Sequence, residues 1–97
     1  MHNGEVADEW RAIAKKAQAE VARLNEELAI ALSFKEGLHA QVKALKQAHP
    51  TSPMFSDGGQ RYPDGSTKSR IRLIFDQAFD AFAVQCGIKN PASIRDK

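Results

Sequence analysis

The amino-acid sequence predicts an all-α protein. It would consist of a long N-terminal helix of the coiled-coil type, a Pro/Gly-rich loop, and a second amphipathic helix that packs back as a helical bundle, completed by oligomerisation. Apolar residues recur every three or four positions through the first half of the chain, and again between residues 66 and 86. No segment shows the strict apolar–polar alternation typical of a strand. The 97 residues are expected to form one domain.

The long helix is predicted over residues 5–48. Ten of the eleven positions of its heptad seam are apolar, and the exception is Lys35 at position a. The seam consists of Trp10, Ala14, Ala17, Val21, Leu24, Leu28, Ala31, Lys35, Leu38, Val42 and Leu45. A seam that repeats every 3.5 residues faces a partner helix continuously. We therefore predict self-association through its large aliphatic members, Val21, Leu24, Leu28, Leu38, Val42 and Leu45.

The length of this helix argues for a second chain. A helix over residues 5–48 spans about 60–66 Å, whereas a compact globule of this size has a radius of gyration of about 12–13 Å. Either the helix breaks near Ser33–Gly37 into a hairpin, or it pairs with another copy. The seam passes through that segment in register, so we expect a homo-oligomer, most simply a two-fold dimer. Ile13, Leu32 and Phe34 widen the apolar stripe, which suits a second helix packing on one flank.

Residues 49–65 are predicted to form a loop. Three prolines, three glycines and two Asp-Gly pairs in this segment are typical of turns. Its large apolar side chains, Met54, Phe55 and Tyr62, are expected to pin the loop onto the helices. A loop of this length in a small domain is often functional.

The second helix is predicted over residues 66–86, with Ser66 or Thr67 as its N-cap. Its apolar stripe carries three phenylalanines and ends at Cys86, which is therefore expected to be a buried thiol. Gly87 is the predicted C-cap glycine. The remaining residues, 87–97, form a tail with a short turn after Pro91.

Groups that catalyse reactions or hold metals are scattered along the chain. His2, His39 and His49 lie far apart and have no cysteine or acidic partner at ligand spacing, so no metal site is predicted. Residues 59–69 resemble a phosphate-binding loop in composition alone, because the Gly-Lys-Ser/Thr sequence is missing. We expect no catalytic residues and no cofactor, and hence no enzyme.

Basic residues gather where the second helix is predicted to begin. Residues 33–72 contain seven bases and three acids, whereas residues 1–32 contain four bases and six acids. Positive charge in a first helical turn opposes the helix dipole, which instead attracts anions. The candidate partner- or anion-binding residues are Arg61, Tyr62, Ser66, Thr67, Lys68, Ser69, Arg70 and Arg72. Alternatively, they form a solvated basic face that is neutralised by acids of the long helix, such as Glu26, Glu27 or Glu36.

These observations predict a small, non-enzymatic, oligomeric helical protein that binds a larger protein as an adaptor or inhibitor. The alternative function is binding of an anionic ligand (nucleotide or phosphate) or of nucleic acid through the basic cluster at residues 61–72. A single cysteine, the lack of a signal peptide and the lack of a long apolar run predict a soluble, cytoplasmic protein without a membrane partner.

Overall fold

A computed structural model describes residues 3–97 of the chain, with side chains from residue 7 onward. His2, one of the three histidines considered as metal ligands, lies outside these residues. The described residues form three helices and two strands. In chain order they are α1 (Asn3–Gln47), β1 (Asp57–Arg61), β2 (Thr67–Ser69), α2 (Arg70–Gln85) and α3 (Pro91–Arg95).

Helix α1 is continuous, as predicted, and does not break at Ser33–Gly37. Alanine, leucine, glutamate, lysine and glutamine dominate its interior, and all are good helix formers. Residues 8–28 are exposed throughout, and the part of α1 before Ala22 extends beyond the groove that α1 forms with the end of α2 and with α3. The molecule is consequently elongated, with a longest dimension of 78 Å and a radius of gyration of 20.7 Å.

Helix α2 packs antiparallel to the C-terminal half of α1. The side-chain amide of Gln41 donates to the carbonyl of Ile71 at 3.1 Å, and Gly37 lies against the ring of Phe75. Phe34 packs on the flank of the seam, with its ring centroid 4.9 Å from that of Phe79. This confirms the prediction that the second helix folds back on one flank of the first. The buried apolar residues are Ile71, Phe75, Phe79 and Ala83.

The chain is mostly helical, but the all-α prediction was wrong in one respect. Residues 57–61 and 67–69, expected to be loop and helix start, pair as an antiparallel hairpin with an irregular register between its ends. Residues 62–66 connect the two strands, and because the amide of Tyr62 donates to the carbonyl of Ser66 at 2.8 Å, the turn itself consists of the three residues Pro63 to Gly65. In it the amide of Gly65 donates to the carbonyl of Tyr62 at 2.9 Å. Gly65 has a φ of +89°, which favours glycine.

The second helix begins at Arg70, four residues later than predicted. Ser69 is its N-cap and accepts from the amide of Arg72 at 3.4 Å. The caps expected from the sequence were wrong, because the amide and hydroxyl of Ser66 bind Asp64 inside the hairpin loop and Thr67 opens β2. Ser66, Thr67 and Ser69 are all of residue types that favour the N-cap position, so the local sequence does not show which of them is the N-cap.

The end of α2 follows the predicted glycine cap. Gly87 has a φ of +87°, and the amide of Ile88 reaches back to the carbonyl of Ala83 at 3.0 Å. This is the Schellman arrangement, with Ile88 packed against the core. The predicted turn after Pro91 is α3.

Two side chains predicted to be buried are exposed. Phe55 is 78% exposed, although Met54 and Tyr62 are partly covered as expected. Cys86 is exposed as well. Cys86 lines an open groove between the two helices, so that this end of α2 has no packed core against α1.

Candidate interaction surfaces

The predicted self-association residues lie together on one face of α1, and that face is uncovered. The exposed fractions of Val21, Leu24, Leu28, Leu38, Val42 and Leu45 all fall between 45% and 56%. Leu38, Val42 and Leu45 lie in the part of α1 that packs against α2, yet they are as exposed as Val21 and Leu28 nearer the N-terminus. Helix α2 therefore leaves the whole seam accessible.

The reason is that α2 occupies a neighbouring face of α1. Its contacts are with Ser33, Phe34, Gly37 and Gln41, which fall at positions f, g, c and g of the heptad. Ser33 and Gly37 are buried, and their small size lets the phenylalanines of α2 approach closely. A helix that packs at c and g cannot also cover positions a and d.

The uncovered stripe (Trp10, Ile13 and the six self-association residues) dominates the apolar surface of the chain. Among the described residues, ten large hydrophobic side chains are exposed, and these eight are on α1. Trp10 is 66% exposed and Ile13 57% exposed, so the stripe continues to the free end of the helix. Contiguous exposed apolar stripes of this kind mark interaction surfaces.

Two of the three basic residues around the start of α2, Lys68 and Arg72, are part of a buried ion-pair cluster that joins β2, α2 and α3. Lys68 is only 2% exposed. Its ammonium donates to Asp76 at 2.7 Å and to Asp96 at 2.8 Å. Arg72 donates to Asp76 at 2.9 Å, and Arg95 forms a two-pronged pair with Asp80. Three bases thus meet three acids, and the cluster has no net charge.

Protonation equilibria in the cluster reflect this mutual pairing. Burial by itself lowers the pKa of Lys68, but hydrogen bonds to Asp76 and Asp96 outweigh it and raise that pKa above its ordinary value. Burial raises the pKa of Asp96, whereas hydrogen bonds from Lys68 and Arg95 outweigh it, and the pKa lies below its ordinary value. Both groups are therefore charged around neutral pH.

Several of the residues predicted to bind an anion already donate their hydrogen bonds to other groups of the chain. Lys68 and Arg72 are held by Asp76 and Asp96. The amides of Arg70 and Ile71, at the start of α2, donate to the loop carbonyls of Ser56 and Met54.

Other candidate residues contact their neighbours in the same segment. The guanidinium of Arg61 contacts the carbonyl of Gly65 and the hydroxyl of Thr67. The ring of Tyr62 lies 5.1 Å from the ammonium of Lys68. Arg61 and Arg70 are the exposed bases of this segment, and the anion-binding hypothesis depends on them.

The neutralising acids are not those suggested by the sequence. They come from α2 and α3, rather than from Glu26, Glu27 or Glu36 of α1. Arg72 and Asp76 have the spacing of a helical ion pair, and this was the one signal that indicated part of the cluster. Asp96 lies 28 residues from Lys68, too far apart for any local pattern to reveal the pair.

A groove of about 580 Å³ separates α1 from the end of α2 and from α3. Ala22, Asn25, Glu26 and Ala29 line one side, and the other side is formed by residues 86–90 with Ser93 and Ile94. It is open to solvent, and its charged lining residues are Glu26 and Lys89.

The described residues contain no group of three or more His, Cys, Asp or Glu side chains that could hold a metal ion. Of the histidines considered above, His39 is exposed, and His49 pairs with the hydroxyl of Thr51 at 2.8 Å. Within residues 3–97, no helix combines the length and the apolar character that crossing a membrane requires. Comparison with protein-family models, with curated proteins and with solved structures yields no match.

Proposed function

We propose that this protein is a small, non-enzymatic homo-oligomer of the cytoplasm that assembles through the α1 seam and binds a larger protein as an adaptor or inhibitor. The observation that carries the proposal is the uncovered stripe of α1. Each of its large aliphatic side chains is about half exposed. Full burial of one such side chain contributes about 1.5–3 kcal/mol of stability. Covering its exposed half in an interface should therefore contribute about 1 kcal/mol for each side chain.

The small core of the single chain supports the same proposal. Four apolar residues of the described chain are buried, and all of them lie on α2. A long helix that covers so little of its apolar surface within its own chain is typical of a protomer that is completed by a partner.

The contact with a larger protein is best placed at the hairpin end of the molecule. Phe55, Arg61 and Arg70 are exposed there, on neighbouring parts of the same loop and hairpin segment. Aromatic and arginine side chains are enriched at the energetically important centres of interfaces. The hairpin end also leaves the α1 seam available for self-association.

Self-association is tested by replacing Leu24 and Leu28 with aspartate and measuring the solution mass by sedimentation velocity at several concentrations. The wild-type protein should be dimeric or larger. Leu24→Asp with Leu28→Asp should be monomeric, because four charges would enter the seam of a dimer. Ala12→Asp with Ala19→Asp is the matched control, since these two positions face away from the seam. A wild-type monomer at every concentration would overturn the proposal.

Binding of an anionic ligand or nucleic acid remains the alternative. It has less support, because Lys68 and Arg72 are neutralised within the chain and the first amides of α2 are already bonded to the loop. It would rest on Arg61 and Arg70 alone among the basic candidates.

A further inference from the structure

We propose that the partner of the α1 seam is a second copy of the chain that runs antiparallel, paired about a two-fold axis between residues 29 and 30. Facing residues then have numbers that sum to 59, so that each a position meets a d position of the other copy. This inference rests on the proposed function, since it specifies how self-association occurs.

The sizes of the seam residues favour this arrangement. Antiparallel pairing places Ala14 opposite Leu45 of the partner subunit, Ala17 opposite Val42 of the partner subunit, and Leu28 opposite Ala31 of the partner subunit. Each small residue thus meets a large one, as close packing requires. Parallel pairing would instead place alanine opposite alanine at residues 14, 17 and 31, leaving three poorly filled layers.

The charged position of the seam leads to the same orientation. In a parallel dimer, Lys35 would face Lys35 of the partner subunit across the axis, and like charges in direct opposition are unfavourable. In the antiparallel dimer, Lys35 faces Leu24 of the partner subunit and lies near Glu27 of the partner subunit. Glu27 pairs with Arg23 on the exposed surface of the single chain, a contact that costs little to exchange.

The charge of the whole helix agrees with this pairing. Residues 5–27 contain six acids and four bases, and residues 35–46 contain three bases and one acid. The two ends of α1 therefore have opposite net charges. Antiparallel pairing places opposite charges side by side, whereas parallel pairing places like charges side by side.

The position of α2 provides a further reason. It lies on Phe34 and Gln41, both at position g. In an antiparallel coiled coil, g positions lie beside g positions of the other copy, so α2 would flank Ile13, Glu20 and Glu27 of the partner subunit. The N-terminal half of α1, which its own chain leaves uncovered, would then pack against α2 and the C-terminal half of α1 of the partner subunit. A three-helix bundle would form at each end of the dimer.

The orientation can be measured with spin labels on the full chain. In a Cys86→Ser background, Ala12→Cys and Ala19→Cys each provide one labelling site, at f positions away from both the seam and α2. Pulsed electron paramagnetic resonance then measures the distance between the two copies. Antiparallel pairing separates the labels along the helix axis as well as across it, so that the distances are about 55–60 Å at residue 12 and about 35–40 Å at residue 19. Parallel pairing gives the same distance at both sites, about 20–25 Å.

The solution mass of the same labelled samples separates the possible failures. A dimer with distances that differ between the two sites as stated supports the antiparallel pairing. A dimer with equal, short distances overturns the orientation but leaves self-association standing. A trimer or tetramer overturns the two-stranded pairing alone. A monomer at every concentration overturns both the pairing and the proposed function.

Discussion

Gly37 shows how one residue sets the distance between two helices. It is buried in the middle of α1, and an added Cβ would overlap the ring of Phe75. Ser33, one turn earlier, is also small and buried, and its hydroxyl is satisfied by the carbonyl of Ala29 at 2.7 Å. The two residues form a shallow depression in α1, into which the phenylalanines of α2 fit. A helix-weakening glycine is kept in α1 because packing requires it.

Gly37→Ala is therefore expected to destabilise the protein. Overpacking costs about 1–3 kcal/mol, and the better helix propensity of alanine returns about 1 kcal/mol. The net loss in free energy of unfolding should be about 1 kcal/mol, measured by urea unfolding at a fixed protein concentration. Phe75→Leu provides the control background, since without the ring the same glycine change should be neutral or stabilising. An equal loss in both backgrounds would contradict the packing argument.

Lys68 and Asp96 illustrate what a local reading of the sequence misses. Lys68 was expected at the start of the second helix, where its charge would favour an anion. It lies instead in β2 and points inward, held by two carboxylates. The first of these is eight residues away and the second 28 residues away. A lysine between a threonine and a serine looks like a surface residue, and only the fold reveals that it is buried and paired.

At the scale of elements, periodic segments were predictable and the hairpin was not. The stripe of α1, the phenylalanines of α2 and the cap at Gly87 depend on residues a few positions apart, so local patterns reveal them. Strand β1 reads Asp-Gly-Gly-Gln-Arg and has no apolar alternation. The hairpin is instead positioned by its turn, by Gly58 packing against Leu73, and by Lys68 of β2 reaching the ion-pair cluster.

The ion-pair cluster attaches α3 and the hairpin to α2, and its stability should depend on pH. The pKa of Asp96 is lowered in the folded state, so its contribution is present above the unfolded value of about 3.9 and is lost as the pH falls through the folded value. The pKa of Lys68 is raised, so its contribution is complete below about 10.4 and is lost as the pH rises through the folded value. The cluster should be intact between about pH 5 and pH 9.

Asp96→Asn tests this assignment. The variant should lose about 1–3 kcal/mol of stability at pH 7, because one charged partner of Lys68 and Arg95 becomes neutral. Its stability should also fall less steeply below pH 5 than that of the wild type, as measured by thermal unfolding across pH. Asp8→Asn is the control, because Asp8 is an exposed residue of α1 outside the cluster. An unchanged acid dependence in Asp96→Asn would show that Asp96 is not the titrating group.

At the scale of the whole molecule, α1 is longer than the remaining elements of the chain can cover. A compact chain of this size has a radius of gyration of about 12–13 Å, and the value here is 20.7 Å. The excess comes from the half of α1 that extends past α2. Five large apolar side chains lie in the N-terminal half of α1, and all five are exposed: Trp10, Ile13, Val21, Leu24 and Leu28. These proportions support the proposal that the chain is one protomer of an assembly.

The extended half of α1 should therefore be helical only in the assembled protein. Most of the stability of a helix in a protein comes from the packing of its apolar face rather than from helix propensity, and the exposed pairs of Arg23 with Glu20 and Glu27 add only a few tenths of a kcal/mol each. Far-ultraviolet circular dichroism should show helicity decreasing on dilution in step with the mass. Leu24→Asp with Leu28→Asp should have the lower helicity at every concentration, by an amount that corresponds to about 20 residues. Constant helicity in a monomer would mean that α1 is stable alone, and its apolar stripe would then need an explanation other than self-association.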